Sequence, residues 1–198
     1  LGQLHIAASD TICRYFLVPY LKEFHKKFPS VPIKVTNATS LGCVDLLEQG
    51  KVDIAVTNCP NVRLNQSYIR KMVLDFTDPS YFNLKQQELS FRDLTKYPLL
   101  MLDNKSTTSE FMHNLFLSHQ LQLIPEIELS SNDLLIDLAR IGLGIACIPD
   151  YCLKHESKDL FILKTLEPLP RRQLAVSVNP NLPILTSTEE FLNLLPTL

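Results

Sequence analysis

Four times in this chain an apolar run leads into a hydroxyl-rich turn and then into an amphipathic helical pattern. The runs cover residues 4–8, 33–35, 99–102 and 127–129. Their turns are Ser9-Asp10-Thr11, Thr36-Asn37-Ala38-Thr39-Ser40, Ser106-Thr107-Thr108-Ser109 and Ser130-Ser131-Asn132. Repeated strand–turn–helix units build α/β sheets. In an open sheet the turns at the carboxyl ends of the strands line the ligand crevice, and helix N-termini there offer unpaired N–H groups with a partial positive charge. A helix cap uses one hydroxyl well. Three or four in one turn exceed that need, so the turns are read as walls of a small-molecule site.

The order of elements sharpens this. Leu4, Ile6 and Ala8 alternate with Gln3, His5 and Ala7 as a first strand, and Ile12, Phe16, Leu17, Tyr20, Leu21, Phe24 and Phe28 form a helical stripe. Pro19 must kink that helix or sit in its first turn. Val31, Ile33 and Val35 make a second strand, Ser40 opens a short helix that Gly50 closes in a left-handed cap, and Val52, Ile54 and Val56 make a third strand ending at Thr57-Asn58. This β-α-β-α-β order implies a parallel sheet with right-handed crossovers. The pattern weakens over residues 60–97, where a strand over 72–76 and a helical turn at Phe91-Arg92-Asp93-Leu94 stand out. A second β-α-β-α-β run spans residues 99–148. A strand over 174–178 then returns to the first sheet, and a helix carrying Phe191, Leu194 and Leu195 closes over it. The expected architecture is two Rossmann-like α/β lobes joined by two crossover segments, residues 1–75 with 176–198 and residues 76–175. A cleft between lobes is where small ligands usually bind.

Composition excludes several alternatives. A formal net charge of −2 removes the broad electrostatic ground for nucleic-acid binding by this segment. The densest basic stretch, Lys22 to Lys27, is interleaved with apolar residues as a solvated helix face. No apolar run approaches the roughly 20 residues needed to span a bilayer. Cys13, Cys43, Cys59, Cys147 and Cys152 form an odd set without CxxC spacing, which reads as free thiols in a reducing compartment and places the chain in the cytoplasm. His5, His25, His113, His119 and His155 show no metal-binding spacing, and no GxSxG elbow or acid–base constellation is present, so neither cofactor, metal nor enzymatic activity is expected. Gly142-Leu143-Gly144 precedes a strand and reads as a helix-to-strand turn, not as a dinucleotide fingerprint.

Several pieces resemble the effector-binding domain of LysR-type transcriptional regulators. They are Gly2-x-Leu4-x-Ile6, Leu17-x-Pro19-x-Leu21-x-x-Phe24 ending in Phe28-Pro29, Leu47-x-x-Gly50-x-Val52-Asp53-Ile54-Ala55, Asp93-Leu94 before Pro98-Leu99-Leu100, and Gly142-Leu143-Gly144-Ile145-Ala146-x-Ile148-Pro149. Their order and spacing cover nearly the whole chain. The resemblance implies a type 2 periplasmic-binding-protein fold, a small-molecule effector in the interlobe cleft, a homodimer or homotetramer, no membrane association, and DNA contact only through an N-terminal winged helix-turn-helix that lies outside this sequence. It maps the effector site to Ser9 and Thr11, Thr39 and Ser40, Thr57 and Asn58, and Ser131 and Asn132. Asp10 opposes an anion there and suits an amine. Where some members hold a carboxylate with arginine, this chain has the neutral Asn58, so a small polar or zwitterionic metabolite fits as well as a dicarboxylate. Arg14 and Arg140 are possible helpers on exposed helix faces. The rival reading on the same fold is the solute-binding component of a transporter.

Overall fold

A computed structural model of the chain describes residues 2–153 and 158–198; His155 lies outside the described residues. The chain divides into two compact units, residues 1–75 with 172–198 and residues 76–171.

Unit 1 is built on β1 (Leu4–Ala8), β2 (Ile33–Asn37) and β3 (Ile54–Cys59), joined by β10 (Arg172–Ser177) and β4 (Ile69–Phe76) in the order β2-β1-β3-β10-β4. The first three strands are parallel, with Ile6 opposite both Val35 and Ile54. β10 runs antiparallel to β3, pairing Ala175 with Thr57 and Ser177 with Ala55. The single helix expected from Ile12 to Phe28 is three pieces: α1 (Asp10–Ile12), a π-helical turn (Cys13–Leu17) and α2 (Val18–Lys27). Proline lacks the N–H of a helix interior and its ring clashes with the preceding turn. Pro19 accordingly sits in the first turn of α2, and the widened turn lies just before it. α3 (Ser40–Glu48) connects β2 to β3 and ends at Gly50, whose φ of +70° places it in the left-handed region. β3 starts two residues later than the apolar pattern suggested. Asp53 is occupied before the strand begins, its N–H donating to the His5 carbonyl and its carboxylate accepting the His5 N–H at 2.9 Å.

The two faces of this sheet are covered differently. On one side α2 and α7 (Thr186–Leu194) meet through Phe24 and Phe191, ring centres 5.7 Å apart at 74°. On the α3 side a cluster of small and branched residues, Ala7, Cys43, Leu47, Val52 and Ala55, is fully or nearly buried.

Unit 2 repeats the parallel triple with β6 (Leu99–Leu102), β7 (Ile127–Leu129) and β8 (Ile145–Cys147). β5 (Ser80–Phe82) and β9 (Phe161–Leu163) extend it in the order β7-β6-β8-β5-β9. β5 is antiparallel to both of its neighbours. Neither β5 nor β9 was anticipated from the sequence. Each is three residues long, and all of β5 is buried, so no two-residue alternation marks it. α4 (Phe91–Leu94), α5 (Thr107–Ser118) and α6 (Asn132–Arg140) complete the unit. Its core is aromatic: Phe91 stacks on Phe116 at 5.1 Å, Phe82 meets the partly buried Tyr97 edge-on, and Leu94, Met112, Leu115 and Leu163 fill between them.

Candidate functional site

In each unit the carboxyl ends of three parallel strands form one edge of the sheet, and the expected site residues lie on those edges. In unit 1, β1 runs into Ser9, Asp10 and Thr11, β2 into Thr39 and Ser40, and β3 ends in Thr57, Asn58 and Cys59. The strand order brings these three turns side by side, because β1 lies between β2 and β3. In unit 2, β7 runs into Ser131 and Asn132, while the strand next to it, β6, runs toward Ser106 and the start of α5.

Capping accounts for one hydroxyl of each turn. Ser9 accepts the Ile12 N–H at 3.2 Å, Thr39 the Gly42 N–H at 3.1 Å, Ser106 the Ser109 N–H at 2.9 Å and Ser131 the Leu134 N–H at 3.2 Å. A capping hydroxyl that accepts one N–H keeps its own O–H to donate. The remaining residues are held for other reasons. Ser40, nearly buried, accepts the Asn58 N–H at 3.1 Å and so ties the start of α3 to the end of β3. Thr57 is completely buried, and its Oγ1 has no hydrogen-bond partner among the described residues. Buried polar groups are almost always paired, so such an atom marks a place where the fold alone does not explain the residue. Asn132 is buried at the start of α6.

Charge at the unit 1 edge is matched. Asp10 pairs with Arg14 one turn along at 3.3 Å, both more than half exposed, a geometry that contributes little to stability. Arg140 likewise pairs with Asp137 at 2.6 Å on the exposed face of α6. Thiols gather at the same edge of unit 1. Cys13 donates toward the Ala8 carbonyl and receives the Asn37 amide at 3.5 Å, and Cys43 donates to the Ala38 carbonyl at 3.6 Å. Burial pushes the Cys43 thiol up to about 12, with the nearby Cys13 adding to the shift. Burial raises Cys13 and Cys59 as well. All five cysteines are free, and none is poised as a thiolate nucleophile. Among the described residues no group of three or more His, Cys, Asp or Glu side chains is arranged to hold a metal ion, and no helix is long and apolar enough to cross a membrane.

Sequence reasoning located the turns but not their internal division of labour. The orphaned hydroxyl of Thr57 has no local signature, because what surrounds it is set by α3 and by β10, more than a hundred residues away.

Two five-stranded mixed sheets, each a parallel triple extended by strands from elsewhere in the chain, define a type 2 periplasmic-binding-protein fold of the kind seen in effector-binding domains. The LysR substrate binding domain family matches residues 1–197, and the chain belongs to that family. It is 23% identical over 173 residues to the uncharacterized HTH-type transcriptional regulator YeiE of Escherichia coli, covering 86% of this chain and 59% of that protein. It is 26% identical over 170 residues to the regulator CysB of Haemophilus influenzae, covering 82% of this chain and 51% of that one. The chain thus spans little more than half the length of these regulators. Among solved structures, the regulatory domain of Synechocystis CcmR in complex with 2-PG superimposes with a TM-score of 0.86 at 21% identity, covering 98% of this chain and 95% of that domain.

Proposed function

We propose that this chain is the effector-sensing part of a LysR-type transcriptional regulator. A small polar metabolite is held at the carboxyl edges of the sheets, by Ser9, Thr11, Thr39, Ser40, Thr57 and Asn58 of unit 1 and by Ser131 and Asn132 of unit 2. Asp10, matched by Arg14, disfavours a multiply charged anion. The observation that carries this reading is the family match over residues 1–197, joined to donor-bearing turns at the carboxyl edges of both sheets. The structural relative CcmR was solved with 2-PG bound, which supports a small organic ligand for this class of domain. The regulators among its relatives favour gene regulation over the transporter alternative and over an enzyme.

A ligand shifts a conformational equilibrium only by its difference in affinity for the two states. The effector therefore binds one arrangement of the units more tightly, and a homodimer or homotetramer in the cytoplasm passes that preference to DNA-binding domains outside this sequence.

The test is a thermal-shift screen of polar metabolites followed by calorimetry. A ligand at about a hundred times its dissociation constant stabilises by roughly 2.7 kcal/mol, which is readily seen as a melting shift. Ser40→Ala and Asn132→Ala are each expected to weaken the metabolite found by about tenfold. Unchanged affinity in both variants would move the site elsewhere.

A further inference from the structure

β1 and β2 are neighbours in the sheet, and each enters its helix through the same local device. Ser9 caps α1 and Thr39 caps α3, and in each case the residue four beyond the cap is a cysteine. The Cys13 N–H donates to the Ser9 carbonyl at 3.0 Å, and the Cys43 N–H to the Thr39 carbonyl at 2.8 Å. Each thiol then turns back to the carbonyl just ahead of its cap. Cys13 donates toward Ala8 at 3.9 Å and Cys43 to Ala38 at 3.6 Å.

Strand register sets those two carbonyls on adjacent strand ends. Ala8 of β1 lies opposite Asn37 of β2, the residue before Ala38, and neighbouring strands run roughly 4.8 Å apart. The Asn37 amide spans the gap, its Nδ2 donating to the Ala8 carbonyl at 3.0 Å and to Cys13 Sγ at 3.5 Å. The proximity of the thiols is felt electrostatically as well, since Cys13 adds to the rise that burial imposes on Cys43. Two thiols thus share one edge, linked through Asn37 and Ala38.

What such a pair can hold follows from its surroundings. Among the described residues no third His, Cys, Asp or Glu side chain joins them in a metal-holding group. Zinc takes four ligands, and calcium and magnesium take oxygen, so neither class is served. Thiolates select soft ions, and two sulfurs without a third donor suit one that accepts two ligands, as Cu(I) does. A coordinating thiol gives up its proton outright, so a proton held tightly by burial competes with the ion without barring it. The Asn37 N–H directed at Cys13 Sγ favours a sulfur that carries negative charge. Cys43 stands in the first turn of α3, where the helix dipole favours the single net charge of a Cu(I) bis-thiolate. Cys13 is partly exposed and meets an incoming ion, while Cys43 is fully buried.

We infer that Cys13 and Cys43 form a two-coordinate site for Cu(I), a soft monovalent ion. Two S–H bonds break and two S–Cu bonds form. Both protons leave to solvent, and no electron is transferred. The resulting bridge joins the start of the π-helical turn to the first turn of α3. It needs only the two thiols and stands whether or not the effector is held at the same edge.

The experiment titrates Cu(I) into the fully reduced 198-residue chain without oxygen, in competition with the chromogenic chelator bathocuproine disulfonate. Binding of one Cu(I) per chain is expected, with release of about two protons near neutral pH. Cys13→Ser and Cys43→Ser are each expected to weaken it by about a hundredfold or more, while Cys59→Ser and Cys152→Ser leave it unchanged. Should Cys43→Ser fail to fold, X-ray absorption at the copper edge of the loaded, unsubstituted protein decides instead. Two sulfurs and no other ligand support the site, and a third sulfur or any nitrogen ligand overturns it. No uptake of Cu(I) against the chelator, full affinity in Cys13→Ser or Cys43→Ser, or an equal loss in Cys59→Ser overturns it as well.

Discussion

The α3 side of unit 1 and the core of unit 2 are built on the same parallel triple of strands, yet they are filled in opposite ways. Unit 2 packs Phe82, Phe91 and Phe116 with the partly buried Tyr97 between sheet and helices. The corresponding space in unit 1 holds Ala7, Ala55 and Cys43 with Leu47 and Val52, and two buried hydroxyls, Thr57 and Ser177, lie on the same face of its sheet as Ala55. Large aromatic side chains bury the most area per residue and hold one another at fixed angles, so they stabilise strongly and tolerate little change. Small residues let helix and sheet approach closely and leave room for polar atoms that contribute nothing to stability. The difference indicates that unit 2 supplies rigidity, while the α3 side of unit 1 gives up stability for chemistry.

The largest expected effect comes from the aromatic side of this contrast. Phe116→Ala removes a ring that is 1% exposed and stacked on Phe91, at a cost of about 4 kcal/mol. Cys43→Ala, equally buried but smaller, costs about 1 kcal/mol. Urea unfolding followed by circular dichroism measures both, and equal losses would break the comparison. Next comes Gly144→Ala. A Cβ there would sit 2.4 Å from the Pro98 carbonyl oxygen, which is backbone and accepts the Ile145 N–H, so it cannot yield cheaply. The expected cost is about 3 kcal/mol. Gly50→Ala in unit 1 meets only the movable end of Leu182 at 3.1 Å and is charged mainly for its left-handed φ, about 1 kcal/mol. Reversal of that order would mean the turn after α6 is softer than its contacts imply.

Alkaline titration separates the units by another route. In unit 2 burial, aided by the charge of Asp78, pushes the Cys147 thiol up to about 11, despite its hydrogen bond with Ser80. Burial raises Cys152 and Tyr81 further, with Asp133, Asp78 and Asp150 adding to the first and Asp150, Cys152 and Asp78 to the second. Among the described residues of unit 1, Cys43 alone is shifted as strongly. A thiol held protonated binds its proton more tightly folded than unfolded. Its stabilisation is therefore complete below its unfolded pKa of 9.0 and declines as pH climbs toward the folded value. The slope is up to about 1.4 kcal/mol per pH unit for each group. Urea midpoints taken at about pH 8, 9 and 10 are expected to fall, and Cys147→Ala with Cys152→Ala to flatten the fall more than Cys43→Ala does. A flat profile across that range would remove these buried thiols as the cause.

Legibility in the sequence tracks the range of the forces involved. β1, β2, α3 and the glycine caps are set by alternation, helical spacing and left-handed φ, all local, and they were read to within two residues. β5 and β9 were missed because they are set by long-range pairing, whereas the break at Pro19 is local and expected, and only its π-helical form was not. Ser80, Tyr81 and Phe82 become a strand only through partners at 146–147 and 161–163. The site divides in the same way. That Ser9, Thr39 and Ser131 cap helices accords with their position before an apolar stripe. That Ser40 instead binds the Asn58 N–H, and that Thr57 is left without a partner, depends on which strand lies beside which.

The unpartnered hydroxyls give the smallest predicted effects, and Thr57 the most informative one. Removing a buried hydroxyl that has no partner relieves its desolvation cost, and valine has nearly the same shape. Thr57→Val is therefore expected to stabilise the ligand-free chain by up to about 1 kcal/mol, as is Ser177→Ala by less, since it also deletes volume. The two diverge once ligand is added. Thr57 stands at the carboxyl end of β3 beside Asn58, within the proposed effector site, whereas Ser177 lies opposite Ala55, farther from that edge. If Thr57 is retained for binding, its variant gains stability and loses effector affinity together, the trade expected where function keeps a polar group that folding alone would discard. Ser177→Ala gains stability alone. Melting curves with and without the metabolite measure both quantities in one experiment. A Thr57→Val protein that is more stable and still binds undiminished would show that the hydroxyl is a packing fault, and that the edge of β3 plays no part in recognition.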